Sequence, residues 1–186
     1  LMARASYVFN ADQVDGFEVP PLPEPKDPAQ ILDKAEGFIA ATGADIRHGG
    51  NRAFYRFPDD FIQMPERERF MGTETSTATE SYYSTLLHEL THWTGCAKRC
   101  DREFGKRFGD DAYAVEELVA ELGAAFLCAD LGITLEPRPD HAAYLDNWLK
   151  VLKADKKAIF TAASQAAKAT DYLAGLQAAE ITEAAA

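Results

Sequence analysis

The sequence predicts an α+β domain in which a small antiparallel sheet packs on a chemistry-bearing helix and further helices follow toward the C-terminus. Three observations predict it. Short extended runs crowd into residues 45–64, apolar residues recur at helical spacing on either side of them, and His88-Glu89-Leu90-Thr91-His92 lies inside one of the helical runs.

Residues 1–27 contain a strand-like Ser6–Asn10 and then a proline-rich run, and read as a junction from a missing N-terminal domain. The domain itself is expected over 28–178. Between Pro28 and Thr42, residues Ile31, Leu32, Ala35, Phe38 and Ile39 are spaced as one helix face, and Gly43 follows as the terminator. Extended segments at Asp45–His48, Ala53–Phe57 and Phe61–Met64 are separated by Gly49-Gly50 and Pro58-Asp59, which suits an antiparallel arrangement. The third segment, bounded by Pro58 and Pro65, reads as an edge strand to which a peptide could add.

A helix opens at Thr77, which with Glu80 fits the S/T-x-x-E capping box, and it runs to Trp93 before Gly95. Its apolar stripe is Tyr83, Leu86, Leu87, Leu90 and Trp93. Residues Cys96–Asp110 are long for a connection and form a candidate functional loop, whose mixed-charge stretch Lys98–Arg107 reads as solvated. A third helix, about Asp111–Leu131, shows Val115, Leu118, Val119, Leu122, Phe126 and Ala129 on one face. Helices at about Asp140–Leu152 and Lys156–Leu176 complete the domain, and residues 179–186 are expected to fray.

Composition narrows the function. With 47% hydrophobic and 26% charged residues the chain is that of a folded globular protein. A net charge of -11 disfavours autonomous nucleic-acid binding by this domain, because a phosphate backbone is repelled at long range. No apolar run approaches the roughly 18 residues of a membrane span. Three cysteines without a secretory signal indicate a cytoplasmic chain and no disulfide framework. Cys96 and Cys100 lack a matching ligand pair for a second metal site, Cys128 suits a buried apolar position, and His48 reads as a turn residue.

The sharpest signal is the H-E-x-x-H of His88 to His92. Imidazoles one helical turn apart lie about 40° apart in projection and can each give a nitrogen to one Zn²⁺. Glu89, beside the first histidine, can act as general base toward a zinc-bound water. A third ligand is needed. Glu117 and Glu121 share a face with Ala124 and Cys128, whereas Glu116 points about 100° away from Glu117 and nearer to solvent. Glu117 is therefore the expected ligand and Glu121 a carboxylate behind a zinc-bound histidine, with the exchange of these two roles as the alternative. Gly123, Ala124 and Ala125 let this helix approach its neighbour closely. Tyr144 and His141, at the start of the following helix, are the candidate donors to an oxyanion.

These blocks, SYYSTLLHELTHWTG and YAVEELVAELGAAFL with AFYRFPDDFIQMP before and AAYLDNWLKVLKADKKAIFTAASQAAKATDYL after, resemble the C-terminal domain of ArdC-type antirestriction proteins of plasmids and mobile elements. The resemblance covers nearly the whole chain. It implies a zincin-like metallopeptidase fold, metal ligands at His88, His92 and Glu117, and a catalytic Glu89. It also implies that single-stranded DNA is met through a separate N-terminal domain. The chain departs from that pattern at Cys96 and Cys100, away from the metal set.

The leading expectation is a zinc peptidase domain acting on a protein or peptide substrate. The alternative is a catalytically idle interaction domain with a structural zinc, binding a host DNA-processing enzyme. Three visible ligands rather than four favour an open, catalytic position.

Overall fold

A computed structural model of the protein describes Gly16 and residues 29–73, 75–104, 111–134, 152–153 and 156–183. The expected junction 1–27 (apart from Gly16), most of the Asp140–Leu152 helix, and both Tyr144 and His141 lie outside the described residues.

Helix α1 (Asp33–Ala40) starts later than its apolar spacing predicts, with Asp33 and Glu36 at its positive end and Ala35 and Ile39 buried. Ile31 is not part of that face: it precedes the helix and is 68% exposed. Gly43 ends the turn at φ +64°, where a side chain would be strained.

Strands β1 (Asp45–His48), β2 (Phe54–Arg56) and β3 (Phe61–Met64) form a three-stranded sheet in the order β1-β3-β2. The sheet is mixed, not antiparallel. β3 pairs antiparallel with β2 but parallel with β1, in the register Asp45 to Phe61 through His48 to Met64. It is therefore the central strand, which removes the expectation that a peptide could add at its edge. Local hairpin reasoning misses this because β2 is laid on the far side before the chain reverses through Phe57–Asp60. Asp60 takes the left-handed conformation there, φ 53°. The alternation of β3 then drives Ile62 and Met64, both fully buried, onto the helical layer.

That reversal is pinned from a distance. Tyr55 Oη donates to Asp60 Oδ1 at 2.8 Å, Arg99 Nη1 donates to Asp60 Oδ2 at 3.1 Å, and Arg99 Nη2 also bonds Asp60 Oδ1. Arg99 further donates from Nε to the Trp93 carbonyl at 2.6 Å and stacks 3.8 Å from the Trp93 ring centroid. Its side chain is only 7% exposed, so the basic stretch is not simply solvated.

Helix α2 (Ala78–Thr94) opens on the expected capping box, with the Glu80 amide donating to Thr77 Oγ1 at 3.1 Å and the Thr77 amide donating to Glu80 Oε2 at 2.7 Å. Its stripe of Tyr83, Leu86, Leu87, Leu90 and Trp93 is buried against β3, α1 and the two later helices. Gly95 follows with an ordinary φ of -72°, so its lack of a side chain serves space: a Cβ there would lie 2.6 Å from the Phe104 ring.

Helix α3 (Asp111–Leu131) lies between α2 and α4 (Ala158–Glu183). The single expected face does not hold, since Phe126 is 38% exposed and Ala129 is exposed. Ala114, Leu118 and Val119 meet Ala162 and Ala166 of α4, while Ala124, Leu127 and Cys128 join the core around α2. Helix α4 also keeps helical backbone past Leu176 to Glu183, beyond the point where fraying is expected.

The Arg99 contact, with burial opposing it and the Tyr55 hydrogen bond adding to it, holds the Asp60 carboxyl below its ordinary range. A depressed native value gives stabilisation that is present above the unfolded value near pH 4 and lost as pH falls through the native one. Asp60→Asn, which also tolerates the left-handed backbone, is expected to cost about 1 kcal/mol at neutral pH, a figure kept small because the carboxylate is a third exposed. Thermal melts from pH 7 to pH 3 should show a shallower acid loss in the variant; parallel curves would contradict the assignment.

Candidate metal centre

Helix α2 presents His88 and His92 on the strip beside its buried stripe, one turn apart. Their rings stand at 80° with centroids 4.7 Å apart, and the two Nε2 atoms are 3.1 Å from each other. Glu117, from α3, closes the third side: Oε2 lies 3.7 Å from His88 Nε2 and Oε1 lies 3.6 Å from His92 Nε2. Donor atoms of these three residues all fall within 4.8 Å of one another.

Carboxylates behind each ring set the tautomers. His92 Nδ1 is 3.0 Å from Glu116 Oε1, and His88 Nδ1 is 3.4 Å from Glu121 Oε1. A neutral imidazole facing a carboxylate carries its proton on that nitrogen. Both Nε2 lone pairs then point into the same gap beside the Glu117 carboxylate. Three electron-pair donors converging in a buried space repel one another unless a cation sits among them, so the residues fit a divalent metal. Burial disfavours protonation of His88, but the Glu121 hydrogen bond and the charges of Glu89, Glu121 and Glu117 outweigh it and push the imidazole up to about 9. The surrounding carboxylates thus favour a positive charge at this point, a proton on His88 when no cation is bound and a neutral Nε2 donor when a cation displaces that proton.

Glu116 is not turned toward solvent as its helical projection predicts. It is 5% exposed and takes two hydrogen bonds from Arg102, Nε to Oε2 at 2.9 Å and Nη2 to Oε1 at 2.8 Å, besides facing His92. The cost of burying this carboxyl is outweighed by His92 and Arg102, which hold it below its ordinary range. Arg102 also donates to Thr94 Oγ1 and to the Thr91 carbonyl, each at 2.7 Å, which ties the 96–104 loop to the end of α2. Arg102 is invisible to motif reasoning, though the Glu116-Glu117 pair itself is a signal that two carboxylates enter one site.

Glu89 is 8% exposed, and no hydrogen bond to its carboxylate is found among the described residues. Cys96, Cys100 and Cys128 form no disulfide among the described residues, with Cys96 and Cys128 buried, and the His88-His92-Glu117 set is the metal-competent cluster found among the described residues. His48 ends β1 rather than sitting in a turn and shares a 2.9 Å hydrogen bond with Tyr82 Oη.

What brings Glu117 to the histidines is the approach of α3 to α2. At Gly123 an added Cβ would lie 2.5 Å from Thr91 Cγ2 and 2.7 Å from Thr91 Oγ1, so this crossing accepts glycine alone without a shift. Gly123→Ala is expected to lower stability by about 1–3 kcal/mol and, by parting the helices, to separate the candidate metal ligands. Gly175→Ala in α4, whose Cβ meets nothing within 4 Å, is the control and should hold or raise stability. Denaturant unfolding and zinc titration check both, and an unaltered Gly123→Ala would contradict the close-contact account.

The family model for zincin-like metallopeptidases matches residues 33–165. The crystal structure of the antirestriction protein ArdC from plasmid R388 superposes with a TM-score of 0.68 at 44% identity, covering 91% of this chain and 59% of that one. Its Mn(II)-bound form gives 0.69 at the same identity, covering 91% and 61%. Protein y4eC of Sinorhizobium fredii is 47% identical over 93% of this chain, and the DNA primase TraC of Escherichia coli is 42% identical over 95% of it. The chain spans 54% of y4eC and 16% of that primase. No helix among the described residues is long and apolar enough to cross a membrane. The chain belongs to the zincin-like metallopeptidase family, and its fold is similar to that of the part of the antirestriction protein ArdC that it covers.

Proposed function

We propose that this domain is a zinc-dependent peptidase that hydrolyses a peptide bond in a protein substrate, with His88, His92 and Glu117 as metal ligands and Glu89 as general base. The carrying observation is the convergence of three donors, His92 and Glu117 buried and His88 partly buried, one fewer than a closed structural zinc site, beside a buried glutamate whose carboxylate takes no hydrogen bond among the described residues. A bound divalent ion supplies Lewis acidity, polarising a carbonyl and bringing the pKa of a water toward about 7. Glu89 takes the proton from the attacking water on its carboxylate and returns it to the leaving amine nitrogen, so one C–O bond forms as the C–N bond breaks. Glu121 and Glu116 hold the imidazoles in the tautomer that leaves both Nε2 atoms free to bind.

Zinc is proposed over manganese because two nitrogens and one carboxylate suit it, although the ArdC relative has been crystallised with Mn(II). The likeness to an antirestriction protein and to a DNA primase supports work beside DNA-handling modules, during plasmid or phage uptake into a recipient cell. With a net charge of -11, this domain is assigned the protein substrate and DNA contact is assigned to other parts of such longer proteins.

Glu89→Gln tests the reading. Cleavage of an unfolded protein such as casein should fall by about 10²-fold or more while the variant keeps its bound zinc. Cleavage that survives the substitution would overturn Glu89 as base. A chain that binds zinc, cleaves nothing and retains its biological activity as the Gln variant would point to the interaction role instead.

A further inference from the structure

We infer that Arg102, from the 96–104 loop, is a positioning residue for the metal centre. It decides which of the adjacent carboxylates Glu116 and Glu117 is available as a ligand. The inference rests on the metal-site reading above and concerns a residue outside the H-E-x-x-H helix and outside α3.

Glu116 and Glu117 are neighbours on α3, both buried, at 5% and 7% exposure. Two anions so placed compete for any cation between the helices. Arg102 ends the competition by occupying Glu116 along its fork, Nε on one oxygen and Nη2 on the other. Oε1 still faces His92 Nδ1 at 3.0 Å, so the neutralised carboxylate is left as a hydrogen-bond acceptor behind the ring. Among the described residues Glu117 pairs with no arginine or lysine, and its two oxygens face the two Nε2 atoms.

Arg102 is itself held by groups that cannot drift from the site. Nη1 bonds Thr94 Oγ1 and Nη2 bonds the Thr91 carbonyl, both within the last turn of the helix that carries His92. The side chain is 4% exposed, so water does not screen the pair. Loop, helix end and ligand thus form one chain of contacts, Thr91/Thr94 to Arg102 to Glu116 to His92.

Removing the fork should leave Glu116 charged, buried and free to turn toward the cation, which loosens His92. In the full chain, Arg102→Met and Glu116→Gln are each expected to weaken Zn²⁺ affinity about 10–100-fold in chelator competition. Their double variant should be no weaker than the poorer single one, because both break the same link. Co²⁺-loaded variants at saturating metal should show an altered visible absorption spectrum, a signature that mere loosening of the loop would not produce. Arg102→Lys keeps the charge without the fork and should fall between wild type and Arg102→Met. If Arg102→Met does not fold, Arg102→Lys and Glu116→Gln decide the matter. Unchanged affinity and spectrum in whichever variants fold would overturn the inference. A wild-type chain that binds no divalent ion would instead sink the metal-site reading on which it rests.

Discussion

Helix α3 crosses helix α2 where Gly123 faces Thr91 with no room for a methyl group, and the candidate metal centre is assembled through that contact. Glu117 stands almost two turns before Gly123 on the same helix, so the crossing sets how far its carboxylate reaches toward His88 and His92. On the opposite side α3 packs against α4, whose Ala162 and Ala166 are fully buried against Ala114, Leu118 and Val119 and keep that interface thin. The sheet backs the other side of α2 through Ile62 and Met64, and the Tyr83 stripe anchors the helix in the core. Each layer limits the freedom of two helices whose separation determines the chemistry.

Within that frame, four carboxylates share a small space and do different things because their surroundings differ. Glu116 is neutralised by Arg102 and turned behind His92, Glu121 lies behind His88, Glu117 faces the gap between the rings, and Glu89 is buried with no hydrogen bond to its carboxylate among the described residues. Burying a charge is costly unless it is paired, which separates Glu116, held by Arg102, from the other three. The loop after α2 is part of this arrangement and not a decoration on it: Arg99 fixes the β2–β3 reversal, and Arg102 reaches the site.

Features encoded over a few residues were legible in the sequence. The capping box at Thr77 and Glu80, the three strand segments and the paired histidines all depend on local spacing, and all stand near where spacing puts them. Strand order did not show, because the placing of β3 between β1 and β2 depends on a crossing that alternation cannot express. Helical projection puts Glu116 on the wrong side for a related reason. A helix covered by α2 on one flank and α4 on another buries most of its circumference, so reasoning from a single apolar face sends the wrong residue to solvent. Arg102 lay in a stretch of mixed charge with no periodicity, and only its tertiary partners give it meaning.

The most direct test of the central claim is anomalous X-ray diffraction at the zinc edge from crystals of the full chain soaked with Zn²⁺. The account predicts one dominant peak bonded to His88 Nε2, His92 Nε2 and a Glu117 oxygen, with Glu116 still held by Arg102. A peak that engages Glu116 in place of Glu117, or no peak between the two helices, would contradict it.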